Sequence, residues 1–151
     1  MYYICGNMES TNKINASNAP KPVGLYPHAR KVGNLLFLSG VGPRVAKSNE
    51  NDSDVPGLKL DHNGNFLEFD FEKQCRSVFD NVNAVLEASG SSWANLVDVT
   101  VFLVNMKRDF AVYNKVYAEY FKDNQPCRTT VEINCLPTPI AIELKCIATI
   151  D

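Results

Sequence analysis

Two charged residues stand where a strand does not ordinarily hold a charge. Arg128 lies inside the run Cys127-Arg128-Thr129-Thr130-Val131-Glu132-Ile133, and Glu143 inside Ile140-Ala141-Ile142-Glu143-Leu144-Lys145-Cys146-Ile147. A charge in such a run needs a partner, because stripping water from an unpaired ion is costly. Two readings stay open. In one, Arg128 and Glu143 are an internal ion pair or point to solvent at a sheet edge. In the other, Arg128 grips a carboxylate through two parallel N–H bonds and Glu143 activates a water beside it. The segment Cys135-Leu136-Pro137-Thr138-Pro139 between the two runs reads as a chain reversal, which predicts that they pair antiparallel. Asn114 falls at i+4 from Phe110 and i-3 from Tyr117, within or beside an apolar helical stripe. There its amide is either an ordinary boundary group or a ligand wanting a partner.

Other chemistries find no support. The chain has no Gly-rich phosphate loop running into Lys and Ser or Thr, no His-Glu-x-x-His and no Gly-x-Ser-x-Gly. Its two histidines, His28 and His62, and five cysteines, Cys5, Cys75, Cys127, Cys135 and Cys146, lack the close spacing of zinc sites or disulfide frameworks. The expectation is therefore no cofactor, no metal, and reduced thiols that are mostly buried. Fifteen Lys and Arg against seventeen Asp and Glu, a net charge of -2, give no generic attraction to nucleic acid. No apolar run approaches the roughly 20 residues that span a bilayer, so no membrane partner is expected. Residues 1–13 carry no basic region ahead of an apolar one, which points to the cytosol, and Met8 reads as an alternative start.

The elements that must position these residues follow from periodicity. The 151 residues suit one domain. Phe71, Cys75, Val78, Phe79, Val82, Val85 and Leu86 trace a helical stripe that predicts a helix over 70–89, stopped by Gly90. Phe110, Tyr113, Val116, Tyr117 and Tyr120 predict a second over 108–121, with Asp109 in its first turn. Strands are expected at 35–39, 97–104, 128–134 and 140–150, with a short one near 66–68 after the turn Asn63-Gly64. Pro43 to Gly64 reads as a long surface loop, either filler or a gate over the cleft. Two one-sided helices on one face of a sheet imply an α/β sandwich whose other face needs a cover, most simply another subunit.

The candidate residues also carry a resemblance. Tyr26 within Val23-Gly24-Leu25-Tyr26, the strand end Leu38-Ser39-Gly40, Asn114 after Asp109-Phe110, Arg128-Thr129-Thr130-Val131-Glu132 and Ile142-Glu143 together resemble the signature of the Rid (YjgF) family. Order and spacing agree from about Ala19 to Ile150. The segments Tyr26-Pro27-His28-Ala29-Arg30, Ser39-Gly40-Val41-Gly42-Pro43-Arg44, Asn105-Met106-Lys107-Arg108-Asp109-Phe110 and Leu136-Pro137-Thr138-Pro139-Ile140 are most similar to the 2-aminomuconate deaminase branch. Many 2-iminobutanoate/2-iminopropanoate deaminases carry Cys two residues after the arginine. Here that residue is Thr130, so no thiol acts there.

The resemblance implies an α/β (α+β), chorismate-mutase-like subunit with a mixed sheet and two helices on one face. It implies a homotrimer with sheets inward and three sites between subunits. The chain would divide into an extension over 1–18, expected to be flexible, and a deaminase domain over 19–151. Arg128 would hold the substrate carboxylate and Glu143 the water. Tyr26 and Asn114 would supply polar contacts, with Gly40 and Thr130 lining the pocket. The substrate expected is 2-aminomuconate, hydrolysed as its imine to the oxo acid and ammonia without a cofactor. Its second carboxylate calls for a second cation, Arg44 first and His28 second. The rivals are a broad-specificity 2-iminobutanoate/2-iminopropanoate deaminase and a non-catalytic trimer that binds a metabolite or acts as a chaperone.

Overall fold

The computed structural model describes residues 12–45 and 55–150. Strands β1 (Lys13–Ile14), β2 (Ala29–Val32), β3 (Leu35–Leu38), β6 (Leu96–Leu103), β7 (Cys127–Glu132) and β8 (Ile142–Thr149) form a six-stranded sheet in the order β1-β2-β3-β8-β6-β7. A separate hairpin joins β4 (Leu58–Leu60) to β5 (Phe66–Phe69). Helices α1 (Phe71–Ala88) and α2 (Met106–Phe121) complete a single mixed α+β domain.

Each helix starts where its sequence supplies an acceptor for orphan N–H groups. Asp70 caps α1 by accepting from Lys73 N at 3.1 Å. Asn105 caps α2 by accepting from Arg108 N at 2.9 Å, and the Glu132 carboxylate accepts from Met106 N at 2.6 Å. This double capping starts α2 at Met106, two residues before the position expected from its stripe. After α1, Gly90 takes φ +74°, the left-handed turn that its lack of a Cβ makes cheap.

Both helices pack on one sheet face. Phe79, Val82 and Leu86 of α1 and Tyr113 and Val116 of α2 are buried with Val99, Val101 and Leu103 of β6 and Ile142, Leu144 and Cys146 of β8. Strand alternation therefore turns Thr100, Phe102, Glu143, Lys145 and Ile147 to the opposite face. Among the described residues nothing covers that face: Phe37 on β3 is 37% exposed and Val32 on β2 is 58% exposed.

Four expectations need amendment. The Arg128 and Glu143 strands are not paired; β6 lies between them, antiparallel to β8 and parallel to β7, and α2 makes the crossover that parallel neighbours require. The sheet reaches back to residue 13, with Ala16 in the core, so the ordered chain begins before residue 19; residues 1–11, Met8 among them, lie outside the described residues. Strand β4 falls within the expected long loop, of which residues 46–54 lie outside the described ones. Cys75 and Cys146 are buried, but Cys127 and Cys135 are exposed, and all four are free.

Candidate active site

A cleft of about 350 Å³ opens beside the uncovered face, lined by Tyr26, Gly40, Arg44, Glu143 and Lys145 among others. A smaller pocket of about 40 Å³ shares Tyr26, Gly40 and Arg44 with it and reaches His28. Three devices build this cleft. First, Val41 and Leu144 exchange backbone hydrogen bonds at 2.8 and 2.9 Å, which lays Gly40 against Glu143 on β8. Second, α1 clamps the chain after Gly40. Ser77 Oγ donates to Pro43 O at 2.8 Å, and Asn81 Nδ2 donates to Gly42 O and Arg44 O at 2.8 and 2.7 Å. Third, Ser39 Oγ donates to Pro27 O at 2.6 Å, holding the segment that carries Tyr26.

Glu143 is half-buried, and burial pushes its carboxyl above the usual carboxylate range, while the nearby Lys145 ammonium pulls it back in part. A Cβ on Gly40 would lie 2.8 Å from Glu143 Cδ, so glycine is what lets the main chain approach the carboxyl. Arg44 donates through Nη2 to Lys21 O at 2.8 Å.

His28 does something other than bind an anion. Its Nδ1 accepts from Ala16 N at 3.1 Å and its Nε2 lies 3.0 Å from Pro20 O. Because the Ala16 N–H must donate, Nδ1 is the acceptor and Nε2 carries the proton. With both nitrogens spent on main chain, His28 offers no free N–H to a carboxylate, and the candidate for a second cation becomes Arg44 alone of the two expected.

Arg128 belongs to a second cluster. It is in register with Val99, whose side chain faces the helices, whereas Glu143 is in register with Phe102, whose side chain faces away. Arg128 and Glu143 thus project from opposite faces of the sheet, with a strand between them, and the internal ion pair does not form. Arg128 Nη1 donates to Asn114 Oδ1 at 2.9 Å, and its guanidinium lies over the Tyr117 ring, 4.7 Å from the centroid. Thr130 shares this face two residues on, and its buried Oγ1 has no hydrogen-bond partner among the described residues. The chain accordingly brings Tyr26, Gly40, Arg44 and Glu143 together in one cluster, and Asn114, Arg128 and Thr130 in another.

Sequence reasoning missed Ser77, Asn81 and Lys145. The first two are four apart on α1, one helical turn, and Lys145 is two from Glu143 on a strand, hence on its face. Among the described residues no group of three or more His, Cys, Asp or Glu could hold a metal ion, and no helix is long and apolar enough to cross a membrane.

A mixed sheet with two helices on one face and a carboxyl-bearing cleft beside the other defines a small single-domain α+β fold with a candidate small-molecule site. A family model described as Endoribonuclease L-PSP matches residues 16–150. A RutC family protein of Pyrococcus horikoshii is 40% identical over 135 residues, covering 89% of this chain and 94% of that one. Reactive Intermediate Deaminase A, chloroplastic, of Arabidopsis thaliana is 34% identical over 137 residues, covering 91% of this chain and 65% of that one. Among solved structures, E. coli TdcF with bound serine superposes with a TM-score of 0.76 at 27% identity, covering 92% of this chain and 98% of that one. The chain belongs to the Rid (YjgF, RutC, L-PSP) family.

Proposed function

We propose that this protein is a hydrolytic deaminase of carboxylate-bearing enamines and imines, with 2-aminomuconate as its substrate. The observation that carries the reading is Glu143: a half-buried carboxyl with no ion-pair partner among the described residues, set against the Gly40 main chain in a cleft sized for a small molecule. A carboxylate whose pKa is raised is a stronger base than an ordinary one, which suits it to take a proton from water and return it. Two relatives add support. One is named a reactive intermediate deaminase, and another holds serine, a small molecule with a carboxylate next to an amine-bearing carbon.

The chemistry needs little beyond positioning. The enamine gains a proton at carbon to become an iminium. Glu143 accepts a proton as water adds to the iminium carbon, and the carbinolamine that forms passes a proton to its nitrogen and expels ammonia, leaving the oxo acid. Imines already hydrolyse in water, so a few oriented side chains suffice and no cofactor is called for. Arg128, braced by Asn114 and stacked on Tyr117, has the planar fork for a carboxylate beside the reacting carbon.

Because Arg128 and Glu143 leave the sheet on opposite faces, a complete site requires two subunits. A homotrimer with sheets inward would cover Phe37 and Val32 and bring the partner subunit's Arg128 to the Glu143 cleft. The test is ammonia release by purified protein offered freshly generated 2-aminomuconate beside 2-iminopropanoate. Faster turnover of 2-aminomuconate, reduced about a hundredfold in Glu143→Gln, supports the proposal. Equal turnover of both would give a broad-specificity deaminase instead. No release above the uncatalysed rate would leave a binding protein.

A further inference from the structure

The cleft around Glu143 carries more positive charge than its one carboxyl can balance. Lys145 and Arg44 both line it with Glu143, and among the described residues neither cation has a carboxylate within ion-pair distance. Lys145 has only a long hydrogen bond, 3.4 Å, from Nζ to Leu38 O. It follows Glu143 by two on β8, so strand alternation fixes both side chains on one face. Arg44 is held by the Asn81 clamp on its own carbonyl and by its bond to Lys21 O.

A substrate with a single carboxylate taken by an arginine would leave Lys145 and Arg44 lining the same cleft without an anion. Arg44 is half-buried and Lys145 exposed, but both line one concave cleft, where the summed field of two cations attracts an anion more strongly than a single cation on open surface does. We infer that Lys145 is a specificity-determining residue, binding with Arg44 the distal carboxylate of a dicarboxylate ligand. This rests on the deaminase reading for the ligand's fate but on the cleft alone for its charge.

Binding can therefore be tested apart from turnover, with muconate and sorbate as probes. Both are six-carbon dienes, and sorbate has a methyl where muconate has its second carboxylate. Calorimetric titration of the wild-type protein is expected to give muconate about tenfold tighter binding than sorbate. Lys145→Met should remove most of that ratio, and Lys145→Arg should keep it. A ratio near one in the wild type, or an undiminished ratio in Lys145→Met, overturns the inference. A change confined to the pH profile of turnover, with the ratio intact, also overturns it, since Lys145 would then act only on Glu143. Discrimination between the probes without any ammonia release would uphold the inference and reject the deaminase reading.

Discussion

Gly40 and Glu143 occupy space that one methyl group would contest: a Cβ on Gly40 would lie 2.8 Å from Glu143 Cδ and nearer still to Oε1. Gly40 does not take the positive φ of Gly33 or Gly90, so alanine fits its backbone, and only the carboxyl must move. Gly40→Ala is expected to fold with a near-normal Tm while kcat falls by about ten- to a hundredfold, because a base displaced by about an ångström loses its alignment. Steady-state kinetics beside a melting curve would check this. A large loss of Tm with unchanged kcat would contradict the proposed role of Glu143.

The raised pKa of Glu143 has a definite sign for stability. The folded state binds its proton more tightly than the unfolded chain does, since burial disfavours the carboxylate. The stability contributed by the protonated group is fully present below the ordinary carboxylate value and is lost as pH rises through the folded value. Glu143→Gln, which cannot ionise, should therefore melt higher than wild type above that window and approach it below. Deaminase activity should run the other way, rising with pH through the same window as the base ionises. Melting curves and rates over pH 4 to 8 would measure both trends, a range set around the ordinary glutamate value of about 4.3.

His28 should matter to folding. Its two ring nitrogens tie Ala16 and Pro20 to the sheet, and truncation would leave the Ala16 N–H and Pro20 carbonyl unpaired. His28→Ala is expected to cost about 1–3 kcal/mol, read from denaturant unfolding. An unchanged midpoint would mean that water replaces both bonds.

The elements that announce themselves in the sequence are α1 and α2, by a one-sided apolar period, and β3, β5, β6, β7 and β8, by apolar or β-branched runs bounded by turn residues. Strand β2 does not, since Ala29 is its one fully buried residue and Arg30, Lys31 and Val32 face water in part or whole. Strand β4 has three residues, too few for a period. Strand order is not a local property, yet the sequence order β6-α2-β7 carried a usable signal, because a helix between two strands is the usual route to a parallel pair. Of the candidate site, Arg128 and Glu143 stood out as charges within apolar runs. The Ser77 and Asn81 clamp did not, since its partners are main-chain carbonyls more than thirty residues away. His28 was legible as a rare residue type but not as a structural tie, since its partners are main-chain groups, the Ala16 N–H and the Pro20 carbonyl, that leave no side-chain signal.

The opposed directions of Arg128 and Glu143 give the strongest test of the assembly. If each site takes Glu143 from one subunit and Arg128 from its neighbour, then Arg128→Ala and Glu143→Gln proteins should each be trimeric and nearly inactive. Unfolding and refolding them together would produce mixed trimers, in some of which an intact Glu143 cleft meets an intact Arg128. Activity should then reappear, up to about a quarter of wild type per site for random mixing at equal amounts, because each site draws its two halves independently. If one chain supplied both residues, every chain in the mixture would lack one of them and no activity would return. Light scattering before and after mixing checks that trimers form in each case. A stable monomer with full deaminase activity would refute the shared site, since the separation of the two residues across the sheet leaves a lone chain no means of joining them.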